Sequence, residues 1–262
     1  MNKDLFSLTG KVALITGGGR GIGRYIAAGL ANAGADLILT SRTMATLEAA
    51  AQELTEEFGV KVLPIACDIG DVDQIADMFD EAKATFDSID ILFNNSGTGI
   101  GASTLDHPLD AWDETFNINL RGPFVLIQHW ANHMKTRGGG QLINISSIVG
   151  LRGTDEASHP VVAYSTSKAA MIHLTQNLAI KLAPLNIRVN GIAPGYFQTD
   201  MTSFLDAPEN EAMLTGYLQK IPLGRGAGVD DVAGVAVFLA SDASAFMTGQ
   251  TLIVDGGQSA TL

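Results

Sequence analysis

Short apolar runs alternate with longer helical stretches along the whole chain. The runs Val12–Thr16, Leu37–Thr40, Val62–Ala66, Ile89–Asn94, Gln141–Ser146, Arg188–Ala193 and Thr251–Val254 have the length of strands. They are apolar almost throughout and do not alternate with polar residues, as expected of strands buried on both faces. Between them lie amphipathic or alanine-rich segments, Gly21–Ala33, Met44–Phe58, Val72–Phe86, Leu109–Thr136, Ala163–Leu182 and Val229–Leu239, which predict helices. Strand–helix alternation joined by short turns implies an α/β fold, a parallel sheet with helices on both faces. No linker, charge block or repeat interrupts the pattern, so residues 1–262 are expected to form one domain. The longest irregular stretch, Pro194–Leu223, is punctuated by Pro194, Pro208 and Pro222. Loops of that length usually have a task, and residues 195–222 are expected to act as a substrate loop or lid.

Composition narrows the partners. The net charge of −12 argues against a nucleic-acid partner, which would require a basic face. Cys67 is the only cysteine, so an intrachain disulfide is excluded. The N-terminal apolar run is soon broken by glycines and reads neither as a signal peptide nor as a membrane span. A cytoplasmic location is the expectation.

Two clusters carry candidate chemistry. Gly17, Gly21 and Gly23 separate the first strand from the first helix. Glycines there allow a tight turn and bring backbone N–H groups to a pyrophosphate at a helix N-terminus. Tyr164 and Lys168 sit four apart, on one face of a helix and one turn from each other. A free phenol, with a pKa of about 10, exchanges protons poorly near neutrality. Lowering it by about three requires about 4 kcal/mol, within reach of a close ammonium in a partly dry site. Ser147 ends the strand QLINISS and can donate to a substrate oxygen. Its neighbour Ser146 is a rival for that role and reads better as a hydrogen-bonded strand residue.

The spacing Gly-x3-Gly-x-Gly after Thr16 resembles the glycine motif of the short-chain dehydrogenase/reductase family. The resemblance runs on, in order, through Asn94-Asn95-Ser96-Gly97, Asn119, Ser147, Tyr164-x3-Lys168, Pro194-Gly195 with Thr199, and Asp255-Gly256-Gly257. It implies a doubly wound, Rossmann-type fold with a sheet of seven mostly parallel strands in three α/β/α layers. It also implies an NAD(P)(H)-dependent oxidoreductase that interconverts an alcohol and a carbonyl, with Asn119, Ser147, Tyr164 and Lys168 as its catalytic tetrad. The Asn119 backbone carbonyl would hold a water on Lys168; Asn117 fits that place less well. Two departures stand out: Ser96 replaces the family's usual alanine, and the segment from Ser147 to Tyr164 is somewhat long, which bears on the substrate pocket.

Cofactor contacts follow from the same resemblance. Gly17, Arg20, Gly21, Ile22 and Gly23 would form the phosphate turn, with Ser41 and Arg42 ending the second strand. That turn holds no acid to repel a 2′-phosphate, and Arg42 and Arg20 offer charge-assisted bonds to one, so NADP(H) is favoured over NAD(H). The alternative is that either arginine is solvated or stacks on the adenine. Asp68 and Ile69 match positions at the adenine; Asn95 and Gly97 lie at the sheet edge, where Asn95 reads equally well as a tie between strands. Pro194, Gly195 and Thr199 resemble the segment holding the nicotinamide carboxamide, and Tyr164 and Lys168 also touch the cofactor.

The expected partner is a small alcohol or carbonyl, with a 3-oxoacyl thioester and a sugar or polyol both compatible. A catalytically silent sensor of dinucleotides is the alternative from another class. Family members commonly form tetramers, and the stripe Ala169, Ala170, Leu174, Leu178 and Leu182 suits a homotetramer or homodimer, although a core-facing stripe looks the same. No metal is expected: His129 and His133 have ligand spacing but no third partner and read as helix-surface residues. Cys67, Trp112 and Trp130 read as packing residues, and Arg152 and His159 lie where they could face substrate.

Overall fold

In the computed structural model, which describes residues 4–156, 159–199 and 202–260, every apolar run forms a strand and all pair in parallel. The strands are β1 (Val12–Thr16), β2 (Asp36–Ser41), β3 (Val62–Ala66), β4 (Ile91–Asn94), β5 (Gly140–Ile145), β6 (Ile187–Pro194) and β7 (Thr251–Val254). Their spatial order is β3-β2-β1-β4-β5-β6-β7. The order reverses between β1 and β4, so the crevice outside their carboxyl ends is where an open α/β sheet takes ligands.

Alternate residues of each strand feed opposite cores, because side chains alternate across a strand. On one face Ala13, Ile15, Leu37 and Leu39 pack against α1 (Gly21–Asn32), α2 (Met44–Phe58) and α8 (Val229–Ala240). On the other, Leu14, Ile38, Leu92 and Leu142 pack against α3 (Val72–Thr85), α5 (Gly122–Met134) and α6 (Val162–Leu182). This double burial explains the continuous apolar runs. Helix ends carry local signals too: Asp71 caps α3 by accepting from the Asp73 and Gln74 amides.

Three expectations are corrected. The fourth strand begins at Ile91, since the Ile89 carbonyl accepts from the indole N–H of the fully buried Trp130. The helix read as Leu109–Thr136 is two helices, α4 (Leu109–Phe116) and α5, joined by a π-helical turn over Asn117–Arg121. The extra residue in that turn carries Asn119 inward to 1% exposure. The 194–223 stretch holds short 3-10 turns and a helix, α7 (Glu211–Gln219), whose Leu214 and Leu218 pack with Tyr196, Leu205 and Ile221.

Candidate active site

The glycine turn leaves β1 where its backbone is most confined. Gly17 has φ +67°, and a Cβ there would lie 2.8 Å from Asn95 Nδ2. A Cβ on Gly23 would fall 2.2 Å from the Gly17 carbonyl oxygen, so the first turn of α1 packs directly on the strand end. Gly21 and Ile22 open α1, whose first turn contains no acid. Over Gly21 lies the Thr199 side chain, at 3.4 Å from a Cβ position. This donor-rich N-terminus with no built-in anion fits a diphosphate.

The tail of β4 joins this turn to the catalytic residues. The Thr16 hydroxyl accepts from the Asn95 and Ser96 amides at 3.0 and 2.9 Å, and Asn95 Nδ2 donates to the Thr16 carbonyl at 2.9 Å. The Asn95 amide nitrogen therefore ties β4 to β1, the structural role that its sequence left open. Two residues on, a Cβ at Gly97 would sit 3.2 Å from Lys168 Nζ and 3.4 Å from Asn119 Oδ1. Asn119 clamps Thr98, accepting from its amide and donating to its carbonyl, both at 2.8 Å, and donates to Ser167 Oγ at 2.9 Å. At Gly99 the same tail lies against the Tyr164 ring.

Helix α6 buries Ala163, Ser167, Lys168, Met171 and Thr175 toward this edge. Lys168 Nζ donates to the Ile145 carbonyl at 3.0 Å and stands 5.5 Å from the Tyr164 ring centroid. Burial draws the Lys168 ammonium down to about 8. Burial pushes the Tyr164 phenol above its ordinary value, and a hydrogen bond with the Ser147 side chain opposes that rise. The expected lowering of Tyr164 by Lys168 is thus not the prevailing influence here, since the ammonium faces a backbone carbonyl and desolvation outweighs the hydroxyl contact. Ser147 caps a short turn, its Oγ accepting from the Val149 amide at 3.4 Å, whereas Ser146 Oγ donates to the Ile192 carbonyl at 3.0 Å within the strand layer. Ser147, not Ser146, is the serine beside Tyr164.

A family model described as enoyl-(acyl carrier protein) reductase matches residues 17–259. The chain is 39% identical to the 3-oxoacyl-[acyl-carrier-protein] reductase of Aquifex aeolicus, over 95% of this chain and 98% of that protein. It is 42% identical to the 2-dehydro-3-deoxy-D-gluconate 5-dehydrogenase of Bacillus subtilis, over 97% and 96%. The crystal structure of a gluconate 5-dehydrogenase from Burkholderia cenocepacia, in complex with NADP and tartrate, matches with a TM-score of 0.90 at 36% identity, covering 99% of each chain. The chain belongs to the short-chain dehydrogenase/reductase family.

In this short-chain dehydrogenase/reductase, Ser41 ends β2 and is followed by the exposed Arg42; Arg20, also exposed, leaves the glycine turn just before α1. Gly18 packs on Leu39 between them, which keeps the ends of β1 and β2 close. Asp68 follows β3, its carboxylate accepting from the Gly70 amide at 2.9 Å, with the buried Ile69 beside it. Asn117 Nδ2 donates to the Gly70 carbonyl at 2.9 Å, a tie between this segment and the π turn. Pro194 closes β6, and a Cβ at Gly195 would lie 2.6 Å from Asp255 Cβ, which relates the Pro-Gly and Asp-Gly-Gly motifs directly. Asp255 accepts from the Gly257 and Ser259 amides at 2.9 and 2.6 Å. The Tyr25 hydroxyl on α1 donates to the Gln198 carbonyl at 2.7 Å, which fastens the start of the 195–222 segment to the glycine helix.

Sequence reasoning missed the links that assemble the substrate side. Glu156 accepts from the amide and hydroxyl of Thr104, both at 2.7 Å, and the Ala102 amide donates to the Pro160 carbonyl at 2.9 Å. His159 Nε2 hydrogen-bonds the hydroxyl of Tyr217 on α7, with the rings in edge contact. Three stretches distant in sequence thereby meet around Tyr164. Non-local pairs of this kind leave no periodic signal.

The remaining residues resolve as follows. Trp112 stacks on Phe116 at 4.9 Å between centroids. His129 and His133, read as helix-surface residues, contact Phe79 and are half-buried, with His133 Nε2 buried. No group of three metal-ligating side chains occurs among the described residues. The Cys67 thiol is pushed up to about 11, chiefly by burial, which makes it unreactive. Of the proposed oligomer stripe, Leu178 is core and Leu174 and Leu182 pack against that core; Ala169 is exposed. Among the described residues no helix is long and apolar enough to cross a membrane.

Proposed function

We propose that this short-chain dehydrogenase/reductase is an NADP(H)-dependent oxidoreductase that interconverts a small alcohol and its ketone or aldehyde, with Asn119, Ser147, Tyr164 and Lys168 as its working residues. The observation carrying the reading is that the tail of β4, anchored to the glycine turn through Asn95, lies against Lys168 and Asn119 at Gly97 and against the Tyr164 ring at Gly99. With Ser147 on the turn beside it, Tyr164 offers what a carbonyl oxygen requires: one donor to polarise it and one proton to complete it.

A nicotinamide dinucleotide held by the glycine turn would supply the hydride in reduction and accept it in oxidation. Ser147 Oγ holds the substrate oxygen and stabilises charge developing there. Tyr164 Oη gives its proton to that oxygen in reduction and takes it back in oxidation. Lys168, buried one helical turn away, provides positive charge for the phenolate that remains, and Asn119 fixes the Thr98 backbone beside it. The glycine turn with Ile22 would hold the diphosphate, Asp68 and Ile69 the adenine side, and Gly97, Pro194, Gly195 and Thr199 the nicotinamide side.

Arg20 and Arg42, exposed at the ends of β1 and β2 with no carboxylate in that turn, support NADP(H) over NAD(H). NADP in the Burkholderia cenocepacia relative supports the same choice. Residues 195–222 would act as the lid of a single domain, and assembly as a homotetramer or homodimer follows family habit. A nicotinamide absorbance assay over a panel of ketones and alcohols, with NADPH and NADH in parallel, tests the reading. Turnover favouring NADPH is expected. Tight nucleotide binding with complete silence across the panel would replace it with the dinucleotide-sensor reading.

A further inference from the structure

Helix α7 brings one hydroxyl toward the catalytic edge. Its apolar residues Leu214 and Leu218 are taken up by the cluster with Tyr196, Leu205 and Ile221. Its Tyr217 packs on Tyr196 at 5.5 Å between ring centroids and reaches His159 Nε2 with its hydroxyl. Tyr196 follows Pro194-Gly195 at the end of β6, and His159 lies five residues before Tyr164. Tyr217 therefore bridges the end of β6 and the segment leading into Tyr164, a segment that the Ala102–Pro160 bond joins to the β4 tail whose Gly99 lies on the Tyr164 ring.

We infer that Tyr217, oriented by His159, is a specificity-determining residue that hydrogen-bonds a hydroxyl of the substrate close to its reacting carbonyl, and that the substrate class is polyhydroxylated. This rests on the function proposed above. A phenolic hydroxyl has one donor and two acceptor positions, and His159 occupies one of these. An alkyl chain placed against it would leave the remaining positions of a partly buried hydroxyl unfilled, whereas a polyol fills them. Burial lowers His159, with Lys220 adding to the effect, and burial raises Tyr217, so both groups meet the substrate neutral. Such a pair reads hydroxyls.

Steady-state kinetics with NADPH test this by comparing 5-keto-D-gluconate with 5-oxohexanoate, which keeps the carboxylate and the ketone position but has no hydroxyls. The wild type should prefer the hydroxylated ketone by about 100-fold or more in kcat/KM. Tyr217→Phe should reduce that preference by about 5- to 10-fold, mainly through KM for the hydroxylated ketone. The same variant should leave the NADPH Kd from fluorescence titration unchanged and should not lower kcat/KM for 5-oxohexanoate, since the hydroxyl that an alkyl chain leaves unpaired is gone. His159→Gln, which keeps a hydrogen-bonding side chain, should retain more of the preference than His159→Leu. In a Tyr164→Phe background, Tyr217→Phe should weaken calorimetric binding of D-gluconate. An unchanged preference in Tyr217→Phe, or a wild type as efficient on 5-oxohexanoate, would overturn the inference and leave the oxidoreductase reading standing. Silence of the wild type on every ketone and alcohol tried would instead remove the reading beneath it.

Discussion

Gly99 lies against the ring of Tyr164, and a Cβ there would come within 3.1 Å of Cδ2 and 3.2 Å of Cγ. The contact makes the tail of β4 a template: Asn95 is anchored to the glycine turn, Gly97 faces Lys168 and Asn119, and Gly99 sets the height of the phenol. Five consecutive residues thus register the dinucleotide half of the site against the proton-transfer half.

Substitution Gly99→Ala should displace the Tyr164 ring by a few tenths of an ångström, because the added methyl would press on the ring at 3.1–3.3 Å. Misplacement of a reacting group lowers kcat steeply, and a loss of roughly 10-fold is expected here. NADPH affinity should be unchanged. Steady-state kinetics with fluorescence titration of the nucleotide check both statements; full kcat in Gly99→Ala would show that the contact is idle.

Arg42→Ala should weaken use of NADPH and spare NADH. Loss of a hydrogen bond to a charged phosphate costs about 1.5–3 kcal/mol, or roughly 10- to 100-fold in the NADPH/NADH ratio of kcat/KM. Arg20→Ala should act in the same direction. A ratio that does not move in either variant would assign the selectivity elsewhere.

Burial of Lys168 has a consequence for stability. Its folded pKa, drawn down to about 8, lies below the ordinary value of 10.5. Between these two values the unfolded chain holds a proton that the folded chain has lost. Unfolding then takes up a proton, and stability from this residue rises as pH rises from about 8 to 10.5. Wild type should gain stability across that window relative to Lys168→Met, as read from urea unfolding at a series of pH values. Parallel pH profiles for the two proteins would contradict the assignment.

The fold was largely legible because a sheet buried on both faces writes its strands as apolar runs, as in Leu37–Leu39 and Ile91–Phe93. The glycine turn and the Tyr164/Lys168 spacing were legible for local reasons: a turn and one helix face each fall within a few residues. What was not legible depends on contacts across the chain. Nothing near Asn119 announces the π turn that buries it, since that irregularity serves a clamp on Thr98. The Glu156–Thr104 and His159–Tyr217 pairs join segments 52 and 58 residues apart. The balance of burial against charge at Tyr164 likewise depends on what packs around it, and a spacing of four cannot report that.

Trp130 offers a test of the sheet's support away from the site. It is fully buried and its indole N–H donates to the Ile89 carbonyl at 2.6 Å. Trp130→Phe leaves that carbonyl unsatisfied and opens a cavity. A loss of about 2–4 kcal/mol is expected, with Tm falling by about 2–4 °C for each kcal/mol. Differential scanning calorimetry at fixed protein concentration measures this; an unchanged Tm would mean that the contact adds nothing.

The most direct measurement is the single-turnover rate of carbonyl reduction in Tyr164→Phe, taken with the NADPH dissociation constant of the same protein. The ring stays and only the hydroxyl goes, so the nucleotide should bind within about 3-fold of wild type while the rate falls by about 100-fold or more. A rate close to that of the wild type, with nucleotide binding intact, would contradict the assignment of Tyr164 as the proton donor.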